Sequence, residues 1–243
     1  MFPSIRRIFY DNPGYLYDEN GFRHEIKYTL TPDEYIKLSD FCAGFMSCDE
    51  NADADGGYSV KSYYFDTLYY TDYMEKDSGV YERKKYRIRT YGDTGHYRLE
   101  KKIKRGSLNN KLSGGISPGD ADMLITGGFG VVTGDEITDS IISEMYMNGY
   151  RNSIYIEYTR QPFVIEDIGL RITFDRDIGF VYGNYGLDEL MPEPTPVYYN
   201  GETIMEIKYK DVLPAWLKRA IFRIAPSEFS TSKYTESLRY FLG

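Results

Sequence analysis

Soft-metal chemistry is hard to build from a sequence with two cysteines, two histidines and one tryptophan in 243 residues. Cys42 and Cys48 are too few for a disulfide framework, and His24 and His96 do not complete a zinc set with them. No run of eighteen apolar residues occurs, and the N-terminal stretch lacks the apolar core of a signal peptide. The expectation is a soluble, cytoplasmic chain without a membrane segment. Excess positive charge is missing too. The formal net charge is −8 and the pI near 5.0, which argues against general affinity for nucleic acid or an anionic membrane.

What is present points to a β-rich chain. Tyrosine is abundant, at 26 residues, and suits strands because the ring packs while the hydroxyl stays wet or paired. Residues 1–21 read as a lead-in and 22–243 as a single domain. Strands are expected over Phe22–Leu30, Tyr58–Asp66, Val80–Tyr91, His96–Lys104 and Thr203–Lys210. Gly92-Asp93-Thr94-Gly95 joins the third and fourth as a hairpin. A further hairpin is expected over Ser153–Arg160 and Ile168–Arg176, turning at Gln161-Pro162. Asn51–Gly57 reads as a turn and Gly183–Gly201 as a proline-bearing loop.

Thr31 as N-cap, Pro32 at the first helical position and Glu34 as a capping-box partner start a helix that runs to about Phe45. Further helices are expected over about Leu68–Lys76, Ser117–Thr126, Asp135–Met147, Pro214–Ile224 and Thr231–Phe241. Strands, then helices, then strands again suit an α+β fold with an antiparallel sheet.

The informative feature is charge on alternate strand positions. Side chains i and i+2 of a strand share a face. Arg23, Glu25, Lys27 and Thr29 therefore oppose Phe22, Ile26, Tyr28 and Leu30. Lys85, Arg87, Arg89 and Tyr91 oppose Tyr86 and Ile88, while Arg98, Glu100, Lys102 and Lys104 align on the fourth strand. Arg171, Thr173 and Asp175 oppose Leu170, Ile172 and Phe174. Glu206, Lys208 and Lys210 oppose Met205, Ile207 and Tyr209. His24 and Lys101 break the pattern. One such strand is an ordinary solvated face with weak cross-strand ion pairs. Several together describe a closed sheet, charged inside and apolar outside under its helices. A cavity of Arg, Lys and Glu suits a polyanion with a divalent metal, because the Arg fork matches phosphate oxygens.

These segments also fall in a familiar order. Glu25-Ile26-Lys27, Arg87-Ile88-Arg89, Leu99-Glu100-Lys101-Lys102, Met205-Glu206-Ile207-Lys208-Tyr209 and Ser232-Lys233-Tyr234 resemble the VTC (vacuolar transporter chaperone) domain. So do Ser62–Thr67 (SYYFDT) and Leu213–Leu217 (LPAWL). That domain belongs to the CYTH-like triphosphate tunnel metalloenzymes, and the resemblance spans roughly residues 22 to 241.

The resemblance implies an eight-stranded antiparallel tunnel barrel that builds inorganic polyphosphate from ATP with Mn²⁺ or Mg²⁺. By motif, Lys27, Arg87, Arg89, Lys102, Lys104, Lys111, Arg160, Arg171, Lys208, Ser232 and Lys233 would bind phosphates. Arg87, Arg89, Lys102, Arg171 and Lys233 among them would act in catalysis. Glu206 would hold the metal. Glu25 and Glu100 either join it or ion-pair with neighbouring lysines, and Ser232 and Lys233 could equally be a helix cap and a first-turn lysine. No stretch resembles the SPX-like phosphate sensor or the membrane spans that accompany the domain elsewhere. A metal-dependent triphosphatase and a non-catalytic polyphosphate-binding module stand as alternatives. ATP and polyphosphate are the expected partners.

Overall fold

The computed structural model describes residues 24–48, 56–92, 94–106, 108–209, 212–225 and 232–242. The lead-in, Phe22, Arg23, the Asn51–Asp55 part of the expected turn, Asp93 and Lys210 lie outside them. The chain builds strands β1 (His24–Leu30), β2 (Ser47–Cys48), β3 (Tyr58–Thr67), β4 (Glu82–Tyr91) and β5 (Tyr97–Arg105). Then follow β6 (Leu108–Ile116), β7 (Tyr150–Ile165), β8 (Leu170–Tyr182), β9 (Thr195–Pro196) and β10 (Thr203–Tyr209). Helices are α1 (Pro32–Ala43), α2 (Thr71–Asp77), α3 (Pro118–Ile125), α4 (Glu136–Met147), α5 (Ala215–Ile224) and α6 (Lys233–Leu242). None of the described helices is long and apolar enough to cross a membrane.

Eight strands form one antiparallel sheet in the order β1-β10-β8-β7-β3-β4-β5-β6, with β2 added beside β7 and β9 beside β8. The sheet curls into a half-barrel, bringing β5 near β1: Lys102 Nζ lies 3.3 Å from Glu25 Oε2. The outward faces carry the apolar residues the alternation predicts. Tyr28, Leu30, Ile172, Phe174, Met205 and Ile207 pack under α1 and α5. Tyr86, Ile88 and Leu99 pack under α3 and α4 through Leu124, Ile141 and Met145. Thr31 caps α1 reciprocally with Glu34, as its sequence requires.

Three local features differ from what the sequence suggests. Gln161-Pro162 is not a turn, because β7 runs through it and Pro162 sits opposite Thr173 of β8. The β3 ladder ends at Arg160 and the β2 ladder pairs Phe163 and Val164, so none of the described residues on that side needs the missing proline N–H. The chain reverses instead at Glu166–Ile168, closed by Gly169 at φ 58°. The second is β6, which forms although Asn109, Asn110, Ser113, Gly114 and Gly115 disfavour strands. Gly114 is required there: a Cβ would stand 1.8 Å from Thr138 Oγ1 of α4. The third is α2, which starts at Thr71 rather than Leu68. Tyr70 at φ 53° precedes it, and the Asp66 carboxylate accepts from the Asp72 and Tyr73 amides.

The concave face is not charged throughout. A bulge at Asp177 (φ 52°) inserts one residue into β8 opposite Tyr158. That insertion flips the strand's parity, so Asp175 and then Ile178 and Phe180 face inward. Together with Val60, Ile154, Ile156 and Ile204 they form an apolar floor that receives Tyr234 and Leu238 of α6. The C-terminal helix therefore lies inside the curl, and the charged cavity is the part it leaves free.

Candidate active site

Strands β1 and β10 deliver the acidic centre. Their register sets Lys27 opposite Glu206 and Glu25 opposite Lys208. Lys27 Nζ lies 2.7 Å from Glu206 Oε1 and 3.2 Å from Glu25 Oε1, so one ammonium bridges two carboxylates. Glu206 also has Lys233 at 3.6 Å, Lys208 at 3.7 Å and Arg160 at 3.9 Å. Burial alone would push the Glu206 carboxyl up, but Lys27, Lys233, Lys208 and Arg160 together hold it well below the usual carboxylate range. Glu25 is lowered likewise, with Lys102 and Lys27 outweighing its burial.

Beside this centre, β7 and β8 present a closed ion pair. Arg160 clamps Asp175 through two bonds of 2.7 Å, and Lys233 at the start of α6 donates to the same carboxylate. Asp175 is completely buried, and Arg160 and Lys233 nearly so.

Strands β4 and β5 form the opposite wall, with different electrostatics. Their register sets Arg83 against Lys104 and Lys85 against Lys102, and β6 adds Lys111 opposite Lys102. Like charges directly opposed across a ladder are unfavourable. Lys85 has only hydroxyls as bonding partners among the described residues, Ser232 Oγ at 2.8 Å and Thr235 Oγ1 at 3.4 Å. Burial first, then Lys102 and Lys27, push it down to about 7. Burial also pushes Lys208 down to about 8, against the pull of Glu206 and Glu25. Arg89 is held by the Ser62 and Tyr158 hydroxyls at 3.1 and 3.0 Å.

The walls enclose a cavity of about 570 Å³. Of the sequence-predicted residues it brings together Glu25, Lys27, Arg87, Arg89, Lys102, Lys104, Arg160, Glu206, Lys208, Ser232 and Lys233. Three fall outside its lining. Arg171 stands beside Lys208 in register but hydrogen-bonds the Tyr58 hydroxyl at 3.1 Å. Lys111 reaches Glu100 at 3.1 Å, and Glu100, 3% exposed, takes Arg87 at 2.6 Å. Glu100 therefore sits outside the lining, pairs with Arg87 and Lys111 from there, and stands apart from Glu25 and Glu206. The outward Lys101 pairs with Glu144 of α4, and His24 stacks on Tyr209 at 5.0 Å. The cavity also exposes Lys85, Tyr64 and Tyr158, which sequence reasoning left out of the site.

No three His, Cys, Asp or Glu side chains gather into a metal cluster among the described residues. Two carboxylates, Glu206 and Glu25, remain. Paired carboxylates suit a hard cation such as Mg²⁺ or Mn²⁺, whose other positions go to phosphate oxygens and water. The donor set fits that kind of ion and no soft one.

The curled antiparallel sheet with a cation-lined interior is the CYTH-like triphosphate tunnel architecture. Two solved structures share it. An adenylate cyclase candidate from Bacillus halodurans matches with TM-score 0.55 and 11% identity, over 86% of this chain and 95% of that one. An adenylyl cyclase candidate from Hippeastrum, described as having a dominant triphosphatase activity, matches with TM-score 0.53 and 15% identity, over 89% and 95%. At these identities the likeness establishes the fold. The VTC domain family model matches residues 22–242, so the chain belongs to the VTC domain family. No curated protein gave a significant sequence match.

Proposed function

We propose that this protein is a metal-dependent polyphosphate polymerase that transfers the γ-phosphoryl group of ATP to a growing polyphosphate chain. The observation that carries the reading is the charge of the cavity lining, twelve Lys and Arg side chains against two Glu. That excess is more than one triphosphate neutralises, and a second polyanion, the acceptor chain, would take up the remainder. Membership of the VTC family supports the same choice.

Phosphoryl transfer asks for in-line placement and relief of negative charge. Arg87, Arg89 and Lys102 on one wall and Lys27, Arg160, Lys208 and Lys233 on the other would grip the two anions. A terminal phosphate oxygen of the acceptor then attacks the γ-phosphorus, the new O–P bond forms, and the bond to the β-phosphate oxygen breaks to release ADP. Glu206 and Glu25 would hold Mn²⁺ or Mg²⁺, which supplies Lewis-acid neutralisation of phosphate oxygens. Ser232 orients Lys85 through the hydrogen bond between them.

The test is incubation with ATP and Mn²⁺ or Mg²⁺, with polymer, ADP and orthophosphate resolved separately. Polymer appearing with ADP supports the proposal. Orthophosphate in step with ADP, without polymer, would replace it with a triphosphatase. Tight nucleotide binding without turnover would make the protein a polyanion-binding module.

A further inference from the structure

The Leu213–Leu217 segment takes no part in the cavity. Pro214 caps α5, and Leu217 and Ile221 anchor the helix in the core beneath it. Trp216, the sole tryptophan of the chain, is not buried with them. It is 43% exposed and stands edge-on against Phe45, with ring centroids 4.7 Å apart. Phe222 and Val212 are more exposed still, at 68% and 82%. With Leu217 and Ile221 inward, helical geometry places Trp216, Arg219, Phe222 and Arg223 on the outward arc, with Lys218 at its edge. Lys218, Arg219 and Arg223 are all exposed. No acidic residue occurs from Val212 to Ala225, although the whole chain carries net charge −8.

We infer that α5 docks this protein onto an anionic lipid bilayer. Trp216, Phe222 and Val212 enter the headgroup layer, and Lys218, Arg219 and Arg223 engage the lipid phosphates. Charge complementarity selects an anionic surface, since this basic stretch is an exception on an acidic protein. The side chains select a bilayer: Phe222 projects from the helix and Trp216, backed by Phe45, stands half-exposed beside the basic residues, a pairing of aromatic and basic groups found at membrane interfaces. The area is small, so the contact is reversible and sensitive to salt.

Trp216 is its own probe. Titration of the whole chain with phosphatidylglycerol vesicles should shift its emission to the blue, and brominated acyl chains should quench it. Phosphatidylcholine vesicles should do neither. Neutralising Lys218, Arg219 and Arg223 to Gln should each weaken partitioning about fivefold, and together about a hundredfold. Turnover of ATP and the thermal unfolding midpoint should not change, which separates this result from failure of the cavity reading. Phe222→Ser should weaken partitioning while keeping its lipid selectivity. No blue shift on anionic vesicles, or equal partitioning onto neutral ones, would overturn the inference. An unmoved Trp216 would leave the face to an acidic protein partner instead.

Discussion

The two walls of the cavity solve the same electrostatic problem in opposite ways. On the β1–β10–β8–β7–α6 side the lining cations have carboxylates: Asp175 takes Arg160 and Lys233, and Glu206 takes Lys27 and lies 3.7 Å from Lys208. On the β4–β5–β6 side Arg87 and Lys111 share Glu100 and Lys102 reaches across to Glu25, but Lys85, in one cross-strand row with Lys102 and Lys111, and Arg89 are held by hydroxyls. The first wall is neutralised without ligand by its own carboxylates. The second carries unneutralised charge that costs folding energy and that a polyanion would relieve. Both walls would contact anions, but Lys85 and Arg89, the lining cations held by hydroxyls, lie on the second, and substitutions should separate them from the ion-paired cations.

The largest effect is expected on the neutralised wall. Glu206→Gln keeps size and removes the anionic oxygen that a hard cation needs. Turnover should fall by about a hundredfold or more, because charge neutralisation of a transferring phosphoryl is worth several kcal/mol. Nucleotide should still bind through the opposite wall. Steady-state rates over a Mn²⁺ titration, with affinity measured on the same protein, decide it. Near-normal turnover at low Mn²⁺ would reduce Glu206 to the partner of Lys27 and move the metal to Glu25.

Two neighbouring arginines sharpen the contrast. Arg89→Ala removes a guanidinium held by neutral groups, so triphosphate affinity should drop by about 1.5–3 kcal/mol with little change in unfolding. Arg87→Ala should cost similar affinity and also destabilise the fold by about 3 kcal/mol. It leaves the buried Glu100 carboxylate, depressed chiefly by Arg87 and Arg89, with Lys111 as its remaining bonded cation. Calorimetric binding and denaturant unfolding of both variants test the difference. Equal unfolding curves would show that Glu100 does not depend on Arg87.

Much of this division was legible in sequence, for reasons particular residues make plain. Glu25-Ile26-Lys27, Arg87-Ile88-Arg89 and Glu206-Ile207-Lys208 announce themselves, since period-two alternation survives any uncertainty about strand ends. The strand β6 did not, because Asn109–Gly115 has loop composition and is held in place by its neighbour β5. Pro162 hid the continuity of β7, and the bulge at Asp177 hid the apolar floor. The place of α6 inside the curl was not legible either, because an amphipathic stripe does not say which side of a sheet it covers. Tyr158 and Lys85 carried no motif, although Lys85 lay on the predicted face, and Tyr64 stood in the SYYFDT segment without an assigned role. The sequence leaves Glu100 open between metal ligand and ion-pair partner, and its register opposite Arg87, with a contact of 2.6 Å, favours the pair.

The smallest expected effect tests the second wall most directly, through protons. Lys85 is pushed down to about 7 in the free protein, by burial and then by Lys102 and Lys27. A bound polyanion favours its charged form, so triphosphate binding near pH 7.5 should take up protons, and affinity should weaken as pH rises above 7. The stability sign is the reverse. Between about pH 7 and pH 10 the unfolded lysine binds a proton that the folded one releases. Lys85 therefore makes the free protein more stable as pH rises through that window, and saturating ligand should flatten the dependence. Binding calorimetry in two buffers of different ionisation enthalpy measures the uptake. Lys85→Met should abolish most of it while leaving the fold intact, because no carboxylate loses its partner. Undiminished uptake in that variant would assign the proton to Lys208, which is lowered to about 8, and would remove Lys85 from the ligand-responsive wall.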